Sequence, residues 1–307
     1  MNTSKIIYLI ALIACFMPFV GTPLALLFGI IMAQTVKHPF PVKSKKLTHW
    51  LLQASVVGLG FGMNAWQAFE VGKQGIWMTI FSITITITVG LSLGKFLKVE
   101  KKTSYMISTG TAICGGSAIA AVSSLIKSNE KQISTALGTV FILNSVALLI
   151  FPWIGHHMQL SQHQFGVWAA IAIHDTSSVV GAAQQYGAEA LQTATTIKLE
   201  RALWIIPFSF LSMFLFKNES GKVKIPYFIF LFVLAMLINT FIPAVHSGAA
   251  FIVMISKIGL KITLFLIGTG LTKELLSSVG LKPLVQGIML WLIISSLSLT
   301  IIVYTIS

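Results

Sequence analysis

Charged side chains are scarce in this chain of 307 residues, since they make up only 9% of it. Acidic residues are the rarer kind, because eight Asp and Glu stand against 21 Lys and Arg. A soluble domain carries about 25% charged residues, and no polar stretch here is long enough to build one. The composition therefore excludes a soluble enzyme, a secreted disulfide scaffold and a disordered regulator.

Cysteine is almost absent as well. Cys15 and Cys114 both lie inside apolar runs, so neither a disulfide framework nor a Cys-ligated metal site is indicated. His156, His157 and His163 cluster without a nearby cysteine or carboxylate, which argues against a metal site. We expect no cofactor. With no basic helix and no aromatic stacking platform, we also expect no nucleic-acid partner.

Apolar residues dominate what is present: they make up 55% of the chain, and its mean hydropathy is +0.88. Apolar runs of roughly 15–25 residues recur from end to end, which predicts an all-α, polytopic membrane protein of about eleven transmembrane helices. We predict one transporter domain over 1–307, with core elements around 104–127 and 164–216 and no soluble domain. The expected spans are 5–20, 22–36, 47–64, 75–94, 104–127, 134–154, 164–187, 193–216, 226–244, 256–272 and 283–305. The first is read as a retained helix, with a signal peptide as the alternative.

Lysines in the gaps between spans predict the orientation, because cytoplasmic loops are enriched in basic residues. Lys73, Lys127 and Lys131 fall on one side of the predicted membrane. Fourteen fall on the other: Lys5, Lys37, Lys43, Lys45, Lys46, Lys95, Lys98, Lys101, Lys102, Lys217, Lys222, Lys224, Lys273 and Lys282. The distribution predicts a cytoplasmic amino terminus and a carboxyl terminus on the outer side of the membrane.

A weak internal echo suggests an inverted repeat. Residues 56–64 (VVGLGFGMN) resemble residues 265–272 (FLIGTGLT), and the two copies lie an odd number of predicted spans apart. Copies that cross in opposite directions are how many secondary transporters build two faces around one site. The alternative is chance similarity between glycine-rich apolar stretches.

The fifth predicted span contains a polar, glycine-rich stretch, TGTAICGGS. Thr109, Thr111 and Ser117 offer hydroxyl groups, while Gly115 and Gly116 permit a broken helix. A break frees backbone N–H groups that can face an anion at a helix N-terminus. The alternative is that small residues only let two helices pack closely.

The seventh predicted span contains five consecutive polar residues, His174, Asp175, Thr176, Ser177 and Ser178. On a regular helix five consecutive residues cover every face, so these must line a cavity or leave the helix. An aspartate at mid-span costs about 2.5–3.5 kcal/mol on insertion scales and marks a functional site by default. The alternative is a satisfied hydrogen-bond network between helices.

Further basic residues occur inside predicted spans. Lys198 and Arg201 are three residues apart and share a helix face, from which Glu200 points away. The pair could hold an oxyanion, form an ion pair with a carboxylate, or snorkel to the membrane surface. Lys257 and Lys261, four apart, either attract anions to an outer vestibule or snorkel.

Five stretches resemble a family of bacterial inner-membrane proteins named as sulfate exporters. They are GTAICGGSAIAA (110–121), AIHDTSSVVGAA (172–183), IKLERALWIIPF (197–208), IPYFIFLFVLAMLINTF (225–241) and GLTKELLSSVGLKPL (270–284). The resemblance implies kinship with bile-acid symporters and cation/proton antiporters, and thus an inverted-repeat fold with broken, crossing helices. It also implies functional roles at Cys114, Gly115, Gly116, Ser117, His174, Asp175, Lys198 and Arg201. Where many members read His-Glu-Val-Ala-Gln, this chain reads His-Asp-Thr-Ser-Ser, so the family's cargo need not transfer.

These observations predict a secondary transporter, not an enzyme, that exports a small anion such as sulfate or an organosulfonate by alternating access. The substrate site is expected between 109–117 and 174–178, with Lys198 or Arg201 supplying charge. His174 and Asp175 are expected to carry a coupling proton, and the expected partners are the anion, the bilayer and, in some arrangements, sodium or a second copy of the chain. The alternatives are a sodium or proton antiporter using Asp175, an intramembrane hydrolase, and a non-transporting membrane subunit.

Overall fold

A computed structural model describes residues 3–17, 20–36, 39–216, 223 and 225–306. These residues form α-helices and one 3₁₀ turn (Pro243–Val245), and no strand occurs among them. The helices are α1 (Thr3–Ala14), α2 (Thr22–Thr35), α3 (Pro41–Gly60), α4 (Ala65–Phe96), α5 (Lys101–Ala112), α6 (Gly116–Leu125), α7 (Glu130–His157), α8 (Gln162–Ala172), α9 (Thr176–Tyr186), α10 (Ala188–Leu203), α11 (Ile205–Leu215), α12 (Tyr227–Phe241), α13 (His246–Thr269), α14 (Lys273–Ser278) and α15 (Leu281–Thr305).

The prediction of an all-helical membrane protein is confirmed at this level. Four helical stretches are long and apolar enough to cross a membrane: Gly75–Phe96, Glu130–His157, Pro243–Thr269 and Leu281–Thr305. Each predicted span also coincides with a helix or a pair of helices. Two of these pairs follow a different path from the one predicted.

The fifth predicted span, 104–127, is a helical hairpin rather than a crossing. Helix α5 ends at Ala112, and α6 begins at Gly116. Lys102 Nζ donates a hydrogen bond to the carbonyl of Lys127 at 2.7 Å, whereas a continuous helix of this length would hold its ends about 36 Å apart. The chain therefore turns back at 113–115. We call α5 and α6 hairpin 1.

The seventh predicted span, 164–187, is a second hairpin, formed by α8 and α9. The backbone N–H of Glu189 donates to Gln162 Oε1 at 3.0 Å, and the rings of Phe165 and Tyr186 stack with centroids 3.8 Å apart. Both arms therefore begin and end at one side. We call this pair hairpin 2.

The predicted crossings of these two segments are thus wrong, for a physical reason. Each arm has only 10–12 residues, about half of what a hydrocarbon core of about 30 Å requires. Hydropathy records the summed length of two arms as one span and carries no information on a reversal between them.

The hairpins enter the bundle from opposite ends of α7. Gln132 near the start of α7 donates to the carboxylate of Glu100, which precedes hairpin 1. His156 at the end of α7 stacks on Tyr186, where hairpin 2 closes, with ring centroids 4.3 Å apart. Because α7 is 28 residues long, about 42 Å of helix separates these two ends. The hairpins are therefore inverted relative to each other.

The hairpin path also changes the end of the bundle at which two lysines lie, compared with the prediction. Lys127 and Lys131 lie at the same end of the bundle as Lys102, since hairpin 1 returns there, and not on the opposite side as predicted. Helix α14 joins this end, because Thr135 Oγ1 donates to the carbonyl of Ser278 at 3.1 Å. We call it the Lys-rich end. Lys37, Lys217, Lys222 and Lys224 lie outside the described residues.

Candidate functional site at the hairpin tips

The tips of the two hairpins touch near the middle of the bundle. Gly115 at the tip of hairpin 1 has φ +63°, a conformation that favours glycine. A Cβ atom at this position would lie 3.2 Å from Cα of Asp175 and 3.3 Å from the carbonyl oxygen of His174. The predicted juxtaposition of 109–117 and 174–178 is thus what the structure contains. The close approach and the positive φ together favour glycine at this position.

Four helix ends converge where the tips meet. Helices α5 and α8 end there, and α6 and α9 begin there. Their terminal carbonyls and N–H groups have no partner within their own helix. Each C-terminus carries a partial negative charge of about half an electron, and each N-terminus an equal positive one. We call this region the tip junction.

Two basic residues of α10 cap the C-terminal ends. Lys198 Nζ donates to the carbonyls of Ile173, at 2.7 Å, and Ala170, at 3.2 Å, at the end of α8. Arg201 donates through Nη2 to the carbonyl of Ala112 at the end of α5, and through Nη1 to Ser82 Oγ at 3.0 Å. Both basic side chains are 0% exposed. The hydrogen bonds thus go to helix ends and to Ser82 of α4 rather than to Asp175 or Glu200.

Glu200 lies on another face of α10, as the sequence spacing indicated. A Cβ atom at Gly75 of α4 would come within 3.4 Å of Glu200 Oε2. The carboxylate of Glu200 is therefore directed at α4 and away from hairpin 2, which Lys198 caps on the other side.

Asp175 caps the start of α9. Its Oδ2 atom accepts hydrogen bonds from the backbone N–H of Ser178 at 3.0 Å, from Ser178 Oγ at 3.1 Å and from Ser177 Oγ. An acceptor at this position satisfies an N–H group that the helix leaves unpaired. The Ser177 and Ser178 hydroxyls are thus committed to the carboxylate, and Thr176 lies buried beside them.

His174 is buried at the tip junction, with 1% of its surface exposed. Its backbone N–H donates to Asn144 Oδ1 at 3.0 Å, while neither imidazole nitrogen has a hydrogen-bond partner among the described residues. Asn144 lies in the middle of α7, and a single polar residue in a span is more often a packing contact than a ligand. The sequence feature that could have indicated a role for Asn144 is its position as a single polar residue inside an apolar span.

The remaining predicted residues belong to hairpin 1. Thr109, Thr111 and Cys114 are buried close to the tip, and Cys114 is a free thiol. A Cβ atom at Gly116 would meet the Phe141 ring of α7 at 3.0 Å. Ser117 is different: its side chain is exposed on α6, so it does not line the contact between the tips.

The N-terminus of α6 is not capped by its N-cap residue, because Gly115 has no side chain to offer. The start of α6 lies beside the backbone of His174, whose carbonyl oxygen would be 3.3 Å from a Cβ atom at Gly115. The buried thiol of Cys114 interacts with the backbone of Ala118 in the first turn of α6. Oriented N–H groups at a helix N-terminus bind anions.

Comparisons with known proteins place the chain among membrane proteins. The family model described as conserved hypothetical protein 698 matches residues 5–287. A Bdellovibrio bacteriovorus protein, UPF0324 membrane protein Bd1437, is 49% identical over 96% of this chain and 93% of its own length. A UPF0324 membrane protein of Bacteroides thetaiotaomicron is 51% identical over 93% of this chain and 87% of its own.

A third relative, the Photobacterium profundum UPF0324 membrane protein PBPRB0970, is 47% identical over all of this chain and 94% of its own length. No solved structure matches the chain. None of these descriptions names a cargo, so the sulfate exporter resemblance stays a prediction. A family match over most of the chain is nevertheless decisive for kinship. The chain belongs to the membrane protein family described as conserved hypothetical protein 698.

Proposed function

We propose that the protein is a secondary transporter that moves a small anion across the bacterial inner membrane through the tip junction. The observation that supports this most is the meeting of two inverted hairpins, which contact each other at Gly115 and Asp175. Broken helices inside a membrane occur where they are buried in protein or line a polar cavity. In secondary transporters such elements bind the cargo near the midplane.

The helix ends at the tip junction favour an anionic cargo. Lys198 and Arg201 donate to the C-terminal carbonyls of α8 and α5 and so offset the partial negative charge of those ends. Asp175 caps the N-terminus of α9, while Glu200 interacts electrostatically with Arg201 from the side of α4. The N-terminus of α6, whose N-cap residue Gly115 has no side chain, supplies N–H donors for an oxyanion such as sulfate or an organosulfonate.

This assignment changes the role of the two cations. The sequence suggested that Lys198 or Arg201 binds the anion directly, whereas both side chains are bonded to helix carbonyls. We propose that they act as positioning residues: they hold the ends of α8 and α5 and contribute their field to the cargo. The direct donors are the N–H groups of α6.

Alternating access fits the two hairpins because each separates the tip junction from one end of the bundle. We propose that the hairpins move together with α10, which is bonded to both of them, and that this movement opens the junction to one side and closes it to the other. The Lys-rich end faces the cytoplasm in this proposal, since the positive-inside rule applies more strongly once Lys127 and Lys131 join it. The inverted pairing of the hairpins also supports an inverted-repeat fold.

Asp175 is the candidate for coupling to a proton, with His174 beside it. The Asp175→Asn variant tests this cleanly, because asparagine also caps helix N-termini but carries no titratable charge. Protein in liposomes would be assayed for exchange of labelled sulfate, thiosulfate or taurine with and without a pH gradient. We expect anion flux in the wild type and loss of its pH coupling in the variant.

The same assay distinguishes the cation antiporter. Flux that depends on a sodium gradient and needs no anion would overturn the anion proposal and make Asp175 a cation ligand. Unchanged pH coupling in Asp175→Asn would remove Asp175 from the mechanism. For the hydrolase alternative, the Ser177 and Ser178 hydroxyls bond to Asp175 and not to the imidazole of His174, so a serine–histidine pair has no geometric support.

A further inference from the structure

A polar cavity lies away from the tip junction. It has a volume of about 450 Å³, is partly open, and is lined by the start of α2, the end of α9 and one face of α13. Its polar lining comes from Thr22, Gln184, Gln185, Lys257 and Lys261. The end of α9 lies beside the C-terminal end of α7, so the cavity belongs to the half of the bundle opposite the Lys-rich end. Along α9, about 15 Å of helix separates Gln185 from Asp175.

Two positive charges in this cavity have no counter-ion on any wall. Lys257 and Lys261 are one turn apart on the same face of α13, and both are partly buried. The sequence contains no Asp or Glu in residues 1–69 or 220–273, and α9 has none either. Lys261 Nζ donates to the carbonyl of Met17 at 3.2 Å, which satisfies one donor but neutralises no charge.

The remaining lining is apolar and is ordered along α13. Ala250, Val253 and Met254 line the cavity and precede the two lysines on this helix. Because α13 begins at the end opposite the Lys-rich end, the apolar part lies nearer that end and the cations lie deeper. The rise of a helix places Ala250 about 16 Å from Lys261 along the axis.

We propose that this cavity binds an organic anion with one charged head and a compact apolar body. The head, a sulfonate or phosphate-type group, lies between Lys257 and Lys261, and the body packs against Val253 and Met254. A volume of about 450 Å³ exceeds the need of a bare sulfate and falls in the range of small-molecule sites. The inference does not depend on transport, since it rests on the cavity alone.

The cavity also contacts hairpin 2. Thr22 Oγ1 in its lining donates to the carbonyl of Gly181 at 3.0 Å, and Gln185 Nε2 donates to the same carbonyl at 3.0 Å. A bound anion would therefore touch the return arm of the hairpin whose tip contains Asp175.

Binding would be measured on lipid-depleted protein in a non-ionic detergent, with methane-, butane- and hexanesulfonate and sulfate as probes. We expect the affinity to rise along the sulfonate series, by up to about fourfold per methylene group, with sulfate binding most weakly. The Lys257→Gln/Lys261→Gln double variant should lose at least tenfold in affinity for hexanesulfonate. The control Lys273→Gln/Lys282→Gln, two exposed lysines at the Lys-rich end, should retain it.

The Lys257→Arg/Lys261→Arg variant keeps both charges and should keep binding, which guards against a folding defect in the Gln variant. Equal affinity in the Gln variant and the wild type would overturn the proposal. Binding of phosphatidylglycerol with no binding of any sulfonate would overturn it too, because the anion would then be a lipid headgroup. The two proposals can fail separately. If transport persists after binding at this cavity is lost, the proposed function remains supported. If Asp175→Asn abolishes transport while binding is intact, the proposed binding cavity remains supported.

Discussion

The contact at Gly115 predicts a large effect of a single methyl group. In Gly115→Ala, the new Cβ would lie 3.2 Å from Cα of Asp175 and 3.3 Å from the carbonyl of His174. Both contacted atoms belong to the backbone, so neither can move away by rotation of a side chain. The backbone at 115 also has φ +63° and ψ −124°, and a side chain in such a region costs about 1–3 kcal/mol. Strain from the contact adds to that cost.

We therefore expect Gly115→Ala to lose about 2–4 kcal/mol of stability. At the scale of larger domains this lowers Tm by roughly 5 °C or more. Thermal unfolding in detergent would measure the shift, and anion exchange in liposomes would report the separation of the tips. Gly72→Ala is the matched control, because a Cβ atom at Gly72 has nothing within 4 Å.

Glycine inside a helix such as α4 is less stable than alanine by about 0.5–1 kcal/mol, so the control should be stabilised or unchanged. We therefore expect Gly115→Ala to lower the stability of the protein and Gly72→Ala to raise it or leave it unchanged. A Gly115→Ala protein as stable and active as the wild type would refute the tip contact, since side-chain rotation alone cannot relieve a tight contact with backbone atoms.

Three further predictions address the caps, the hairpin path and an exposed hydroxyl. Lys198→Met should destabilise the protein by about 1–3 kcal/mol per carbonyl left unpaired at the end of α8, measured by thermal unfolding, and Lys198→Arg should recover part of the loss. In a cysteine-free background, Lys127→Cys and Lys98→Cys should react with a membrane-impermeant maleimide from the same side; labelling from opposite sides would restore the crossing path for 104–127. Ser117→Ala should change stability by less than about 0.5 kcal/mol and leave anion exchange intact, whereas a loss of exchange would place Ser117 in the substrate path.

Helix positions were predictable from the sequence because apolar run length alone determines them. The two polar breaks were predictable as well, since polar residues and glycines at 109–117 and 174–178 are incompatible with regular lipid-facing helices. The reversal of the chain at each break was not. It depends on contacts between distant residues, such as Gly115 with Asp175, that leave no local pattern. Two short apolar arms give the same hydropathy signal as one membrane span, so only the contacts between their ends reveal a hairpin.

The site residues show the same division. Asp175 and His174 were identifiable because ionisable residues inside a membrane are costly and therefore informative. The roles of Lys198 and Arg201 were not, since a cation on a helix face gives no sign of whether it meets a ligand or a carbonyl. Asn144 was passed over, because a single amide in a span is more often a packing contact.

Helix α10 holds both hairpins at once, and this limits how the molecule can move. Lys198 is bonded to α8 and Arg201 to α5, and the two residues are separated by less than one turn of the same helix. A displacement of α10 along its axis pulls on both tips together, whereas parting the tips requires breaking a buried charge-assisted bond. The two hairpins and α10 therefore form one mechanical unit. Because Arg201 also donates to Ser82 of α4, a movement of this unit relative to α4 would break that hydrogen bond as well.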